Sequence, residues 1–175
     1  MNRNLVIAAV VTGILCGAWA GVAPLVSLST WAGFAGCTAY FATGRHGLNG
    51  LAITLSTTLV GVLTALGMIL GSNLIGPPAG TAIAVGAIVG LIVLMGAVKW
   101  LAFVPGIFVG CYSTFALDGD WLQLSLSLIA GAVLGLLCDR GGTIAATAIG
   151  RRWPAAEQPT KQQAANGQAP RPADA

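Results

Sequence analysis

The chain has 175 residues, of which 56% are apolar, 7% are charged and the formal net charge is +3. Soluble domains carry roughly 25% charged residues, and here only Arg45, Lys99, Asp118 and Asp120 are charged between residues 4 and 138. The composition therefore argues against a water-soluble enzyme, a nucleic-acid-binding protein and a disordered chain. It predicts an integral membrane protein surrounded by the lipid bilayer.

The apolar runs predict an all-α, six-span transmembrane domain over residues 1–142. They are continuous, whereas barrel strands alternate apolar and polar residues, and about 20 helical residues cross a bilayer. In chain order, the predicted spans cover residues 5–22, 28–43, 48–70, 81–98, 101–117 and 121–138. The charged and glycine residues at 139–142 are expected to end the sixth span.

The remaining residues are too short or too polar to form another span. Residues 143–153 are expected to form a short helix in the membrane interface, anchored by Arg151, Arg152 and Trp153. Residues 154–175 are rich in alanine, proline and glutamine. That composition cannot bury a core, so it predicts a disordered cytoplasmic tail.

The positive residues predict the orientation of the chain in the membrane. Loops 24–27, 71–80 and 118–120 contain no Lys or Arg, whereas both terminal segments and the other two loops contain at least one. The positive-inside rule then places both termini in the cytoplasm. Ala18-Trp19-Ala20 also resembles a signal-peptide cleavage site, which leaves removal of the first span as an alternative.

Two segments match at a constant spacing and share the pattern F-x-G-C-x-x-x-F-A. The matched motif positions are Phe34, Gly36 and Phe41 in the first segment, and Phe108, Gly110 and Phe115 in the second. At the same spacing Gly61 falls on Gly135. We therefore expect two inverted three-helix repeats, about 5–71 and 81–138, as in many transporters and channels. Purely structural symmetry is the alternative.

Polar and cysteine side chains near the repeat motif are candidates to line a solute pathway. In addition, Pro105-Gly106 and Gly33 with Gly36 are expected to interrupt or loosen the two short motif helices. Close packing of helices, with hydroxyl groups bonded to the preceding turn, is the alternative. The candidate lining residues are Cys37, Thr38, Tyr40, Thr54, Thr57, Cys111, Ser113 and Thr114.

No charged side chain lies deep in a predicted span, and no phosphate loop, metal-ligand pattern or nucleophile motif is present. We therefore expect neither catalysis nor a bound metal or cofactor. The expected function is a passive channel or facilitator for a small, largely uncharged solute, in a homo-oligomer. The alternative is a non-transporting subunit that binds a partner protein through glycine-rich faces, with Gly13, Gly17 and Gly21 as contact residues.

The runs 31–41, 47–53 and 103–111 also resemble the YcdZ-like family of bacterial inner-membrane proteins (domain of unknown function 1097). The similarity covers roughly residues 5–140 and is ungapped in these motifs. It implies an inner-membrane protein with several spans. No catalytic or binding residues come with this resemblance.

Overall fold

The computed structural model describes residues 3–152. Those residues form helices and no strand, which confirms the all-α prediction, and a 3-10 turn over Ala23–Val26 follows the first helix. The predicted tail over 154–175 and Trp153 lie outside the described residues. Within residues 3–152 there are six α-helices: α1 Arg3–Val22, α2 Thr30–Ala42, α3 Gly47–Ile75, α4 Ala79–Met95, α5 Val104–Ala116 and α6 Trp121–Arg152.

Three segments are long and apolar enough to cross a membrane: Arg3–Val26, Gly47–Ile75 and Trp121–Ile149. Helix α4 has 17 residues, and α2 and α5 have 13 each. Thirteen residues rise only about 20 Å, which is less than the hydrocarbon core of about 30 Å. The apolar helices fit a membrane protein, and six complete spans stay a prediction.

Helix α6 does not end at residues 139–142, and the prediction of a separate short helix over 143–153 is wrong for its described part. Gly141 and Gly142 lie inside α6 and face α1, where added Cβ atoms would lie 3.0 Å from Val11 and 3.3 Å from Ala8. The two glycines therefore allow α1 and α6 to pack closely. They do not end the helix, because α6 continues to Arg152.

The short helix α5 begins at the proline that was expected to break it. Pro105 lies in the first turn of α5, where a missing N–H costs no intrahelical hydrogen bond. Gly33 and Gly36 do not loosen α2 either, because side chains there would overlap Trp19 and the carbonyl oxygen of Leu128. Both predictions of interrupted helices are wrong, and the glycines are packing contacts.

Successive helices run in opposite directions. Helices α2 and α6 are parallel, since Ser29 at the start of α2 donates its N–H to Ser127 and Tyr40 near its end bonds to Asp139. Helices α3 and α4 are antiparallel, because Ser72 bonds to Thr81 at 2.6 Å across the turn that joins them. Ala8 faces Gly142, whereas Leu15 packs on the buried cluster that contains Leu134 and Cys138, so α1 is antiparallel to α6.

The packing of α2 on α6 is repeated by the packing of α5 on α3. Gly36 of α2 lies against the backbone of Leu128, and Gly110 of α5 lies against the backbone of Thr58. The motif match that places Gly36 on Gly110 therefore also places Leu128 of α6 on Thr58 of α3. The same matching of α6 with α3 makes Gly131 the counterpart of Gly61. The sequence match had placed Gly61 on Gly135, which lies about one helical turn further along α6.

The packing of α1 on α6 is likewise repeated by α4 on α3. Gly141 of α6 faces Val11, and Gly71 of α3 faces Ala84. Val11 of α1 thus corresponds to Ala84 of α4, and the same spacing places Gly13 on Gly86. Both long helices, α3 and α6, lie between a short motif helix and a peripheral helix.

Candidate functional site

A hydrogen-bond cluster, formed by Tyr40, His46, Gly47 and Asp139, joins α2 and the start of α3 to α6. Asp139 Oδ2 accepts from the Tyr40 hydroxyl at 2.8 Å and from the Gly47 N–H at 3.2 Å. Asp139 Oδ1 lies 2.8 Å from His46 Nδ1. The Tyr40 oxygen also accepts from the Gly47 N–H at 2.8 Å. We call these four residues the Asp139 cluster.

Its members differ in exposure, and this determines which contacts are exchangeable. Tyr40 is fully buried, whereas the side chains of Asp139 and His46 are 14% and 82% exposed. Tyr40 and the Gly47 backbone are therefore held by packing and by the helices that carry them. The imidazole of His46 is the partner of Asp139 that solvent or a small molecule can replace.

The local sequence between α2 and α3 places the cluster. Thr43 accepts the Arg45 N–H at 3.0 Å and donates to the Tyr40 carbonyl at 2.8 Å, which closes a tight turn. Gly47 then begins α3 at φ 64°, in the left-handed region that favours glycine. This geometry brings the first N–H of α3 back to Tyr40 and Asp139.

Two open cavities share Asp139 and Thr143 as wall residues. The first, which we call the Asp139 cavity, lies between α1, the end of α2 and α6 and measures about 450 Å³. Its wall also includes Thr12, Phe41 and Thr147. The second, the His46 cavity, measures about 510 Å³ and is lined by His46, Gly47, Arg140 and Ile144 in addition.

A smaller cavity of about 210 Å³ lies at the opposite end of the helices, between α3, α4 and α5. We call it the Ile69 cavity. When α3 is matched with α6, α4 with α1 and α5 with α2, each residue of this cavity corresponds to a residue of the Asp139 cavity. Ile69 takes the position of Asp139, so the carboxylate is missing from this cavity. The counterpart pairs are Met68 with Cys138, Ile69 with Asp139, Ser72 with Gly142, Asn73 with Thr143, Thr81 with Ala8, Val85 with Thr12 and Phe115 with Phe41.

The threonine and serine candidates lie in helix contacts or at the surface. Thr54, Thr57 and Thr114 donate their hydroxyl protons to carbonyl oxygens of the preceding turn at 2.7 to 2.9 Å. Ser113 is buried and its hydroxyl has no partner among the described residues, whereas Thr38 is exposed. None of these five lines one of the three cavities, so their role in a pathway stays a prediction.

The two motif cysteines lie directly behind the walls of the two equivalent cavities. Cys37 packs in one buried cluster with Cys138, which lines the Asp139 cavity. Cys111 donates to the sulfur of Met68 at 3.9 Å, and Met68 lines the Ile69 cavity. Within residues 3–152, no three His, Cys, Asp or Glu side chains are grouped in a way that could hold a metal ion.

Tyr40 was among the residues predicted from the sequence, but its partners were not. Asp139 was treated as a helix end, although it directly follows an apolar run that continues as helix. A carboxylate at the margin of an apolar segment is costly and is retained mainly where it has a partner or a function. That signal, together with the lone hydroxyl-bearing aromatic of α2, is what could have indicated the cluster.

The comparisons with known proteins decide the family. The model of DUF1097, a family of proteins of unknown function, matches residues 9–143. The chain belongs to the DUF1097 family. Two relatives, both named inner membrane protein YcdZ, match over 143 residues. The Escherichia coli (strain K12) protein is 43% identical, and the match covers 81% of this chain and 87% of that relative. The Salmonella typhimurium (strain LT2) protein is 41% identical, and the match covers 81% of this chain and 89% of that relative. No solved structure matches the chain.

The family match includes the Asp139 cluster and the residues of the Asp139 cavity from position 9 to position 143. The family match and the two relatives confirm the resemblance that the sequence motifs indicated. The names of both relatives describe proteins of the inner membrane, and the three long apolar helices fit a membrane protein.

Proposed function

We propose that this DUF1097 protein is an inner-membrane facilitator for a small, largely uncharged solute, built from two inverted three-helix repeats. The repeated packing of α2 on α6 and of α5 on α3 supports the repeat. Because each half would contain three alternating helices, equivalent helices run in opposite directions. Inverted repeats of this kind occur in many transporters, with the solute site near the repeat axis.

The observation that carries the proposal is the pair of equivalent cavities at opposite ends of the helices. The Asp139 cavity opens where α6 passes the start of α1, and the Ile69 cavity opens where α3 passes the start of α4. An inverted repeat converts one such cavity into a pair of entrances on opposite membrane faces. Cys37 and Cys111 lie behind these entrances, which is consistent with their proposed place along a pathway.

Apolar packing closes the proposed pathway in this conformation. Where α2, α3 and α6 meet, Ala32, Val62, Leu124 and Leu128 form a buried cluster with at most 2% exposure. A small neutral solute can pass such a barrier when these side chains move, whereas a charged one pays a large desolvation cost. This barrier favours a largely uncharged solute.

Stopped-flow light scattering on proteoliposomes tests this function with a panel of small neutral solutes. We expect faster solute entry than in empty vesicles, and a return to the empty-vesicle rate when a cavity is filled by Ile69→Trp or Thr12→Trp. Leu70→Trp and Ile14→Trp are matched controls, because both side chains point outward and are more than 60% exposed. Equal rates with and without protein across the panel would contradict the proposal.

Assembly with other chains is the second candidate, and one observation favours it. Apart from the adjacent residues and the backbone of its own helix, an added Cβ at Gly13, Gly17 or Gly21 of α1 would have no described atom within 4 Å, and the same holds for Gly86 and Gly90 of α4. The expected contacts of the α1 glycines are therefore absent from the described chain. Small residues on an open face let a second helix approach closely in a membrane.

Cross-linking in native membranes tests this alternative. Gly17→Leu would remove a homo-oligomer or a partner complex if the α1 glycine face holds it together. Ala18→Leu is the control, since Ala18 is also exposed but lies about 100° around α1 from Gly17. The same cross-linked species in both variants would argue against assembly through this face.

A further inference from the structure

We propose that the Asp139 cavity binds a small primary ammonium ion. This inference goes beyond the proposed function, because binding at this cavity does not require that the same molecule crosses the membrane. It follows from the hydrogen-bonding capacity of the cavity wall, from the aromatic ring beside it, and from the arrangement of basic groups around Asp139.

The α6 side of the cavity wall, formed by Asp139, Thr143 and Thr147, offers acceptors. Thr143 donates its hydroxyl proton to the Asp139 carbonyl at 2.9 Å, and Thr147 donates to the Thr143 carbonyl at 2.9 Å. Since each hydroxyl has one proton, both oxygens can then only accept from a ligand. An ionised Asp139 is an acceptor as well, and its two oxygens have capacity beyond the three bonds already made. A ligand that matches this wall carries donors.

The aromatic ring and the charges favour a cationic donor. Phe41 lines the same cavity with a side chain that is 46% exposed, and the face of an aromatic ring attracts an ammonium group. No Lys, Arg or His is among the described residues that line this cavity, whereas His46 and Arg140 line the cavity on the other side of Asp139. The wall formed with Thr143 and Phe41 therefore supplies a negative charge without a basic side chain of its own.

The Ile69 cavity provides an internal comparison. It has Phe115 at the position of Phe41, but Ile69 takes the position of the carboxylate. Its two hydroxyl groups, of Ser72 and Thr81, bond to each other at 2.6 Å. The two cavities thus share their placement and an aromatic ring but differ in charge, so we expect ammonium binding at the Asp139 cavity alone.

Saturation-transfer difference NMR with methylammonium as the probe, and methanol as a neutral molecule of the same size, tests the inference on the full chain in detergent. We expect a saturable methylammonium signal and none from methanol. Asp139→Asn should weaken binding by about tenfold or more, the scale of one charge-assisted hydrogen bond. Phe41→Leu and Thr143→Val should each weaken it by roughly threefold to tenfold.

Phe115→Leu in the Ile69 cavity is the matched control and should leave methylammonium binding unchanged. If Asp139→Asn does not fold, the exposed substitutions Phe41→Leu and Thr143→Val decide the outcome against Phe115→Leu. Equal signals from methanol and methylammonium, or equal binding in all folded variants, would overturn the inference. The NMR assay measures binding and not flux. Absence of methylammonium binding would therefore leave the proposed facilitator function standing, and absence of solute entry into proteoliposomes would leave the ammonium site standing.

Discussion

Asp139 in the second half of α6 accepts a 2.8 Å hydrogen bond from Tyr40 near the end of α2. Tyr40 is fully buried, and a hydrogen bond to a charged group is stronger away from water. The bond gives the carboxylate a partner inside the helix bundle. It therefore explains why α6 continues through a charged position at which an isolated span would be expected to end.

Removal of the Tyr40 hydroxyl should destabilise the fold. In Tyr40→Phe, Asp139 loses its bond to a buried donor, and the N–H of Gly47 loses one of its two acceptors. We expect a decrease of about 2 kcal/mol in the free energy of unfolding, typical of a hydrogen bond to a charged group. Unfolding in mixed micelles of dodecyl maltoside and SDS measures this value.

Tyr112→Phe is the control for that substitution, because its side chain is 55% exposed. It should unfold at the same SDS fraction as the parent protein. An equal effect of both substitutions would show that the Asp139–Tyr40 bond contributes nothing specific.

The contact of His46 with Asp139 should contribute much less to stability. The His46 side chain is 82% exposed, and exposed ion pairs contribute about 0 to 1 kcal/mol. We expect His46→Ala to shift the unfolding midpoint by less than half of the Tyr40→Phe shift in the same micelles. A larger loss in His46→Ala would mean that the imidazole is a main support of the cluster.

Substitution of glycines should separate internal helix contacts from open faces. A Cβ at Gly36 or Gly110 would overlap the carbonyl oxygen of Leu128 or Thr58. Gly36→Ala and Gly110→Ala should each cost about 1 to 3 kcal/mol, as overpacking does. Gly13→Ala has open space around it and should leave stability unchanged or raise it by up to about 1 kcal/mol. Equal losses at all three positions would contradict the described packing.

The sequence predicted the helices well and their packing poorly. Apolar runs indicate helices directly, so five of the six helices lie close to the predicted segments, whereas α6 continues past its predicted end at residue 138 to Arg152. Whether Gly33, Gly36, Gly141 and Gly142 break a helix or pack it against a neighbour depends on residues far along the chain, and periodicity holds no information on that. The shift from Gly135 to Gly131 as the counterpart of Gly61 has the same origin.

The candidate site was predictable only in its repeated part. The motif at Cys37 and Cys111 indicated two equivalent regions, and the structure describes both cysteines behind equivalent cavities. The Asp139 cluster belongs to one half alone, because the extra first turn of α3 at Gly47 has no counterpart before Trp121. A repeat search finds what two halves share, so it could not find this difference.

Cysteine labelling should follow the order of positions along the proposed entrance. Both cysteines are almost fully buried, with 2% exposure for Cys138 and 6% for Cys37, but only Cys138 lines the Asp139 cavity, through which a reagent in water can reach it. In single-cysteine variants we expect a small methanethiosulfonate reagent to modify Cys138 from water faster than Cys37, and Thr12→Trp to slow both. Peptide mass spectrometry measures the rates. Modification of neither cysteine would contradict an aqueous entrance at this cavity.

Reporter fusions test the proposed orientation. Arg45, Lys99 and Arg140 lie on the side predicted to face the cytoplasm, and the loop with Asp118 and Asp120 lies on the opposite side. An alkaline phosphatase fusion after Asp120 should be active, because that enzyme needs the oxidising periplasm for its disulfides. An alkaline phosphatase fusion after Arg152 should be inactive, whereas a green fluorescent protein fused at the same position should be fluorescent. The reverse pattern would invert the chain and place the Asp139 cavity on the periplasmic face.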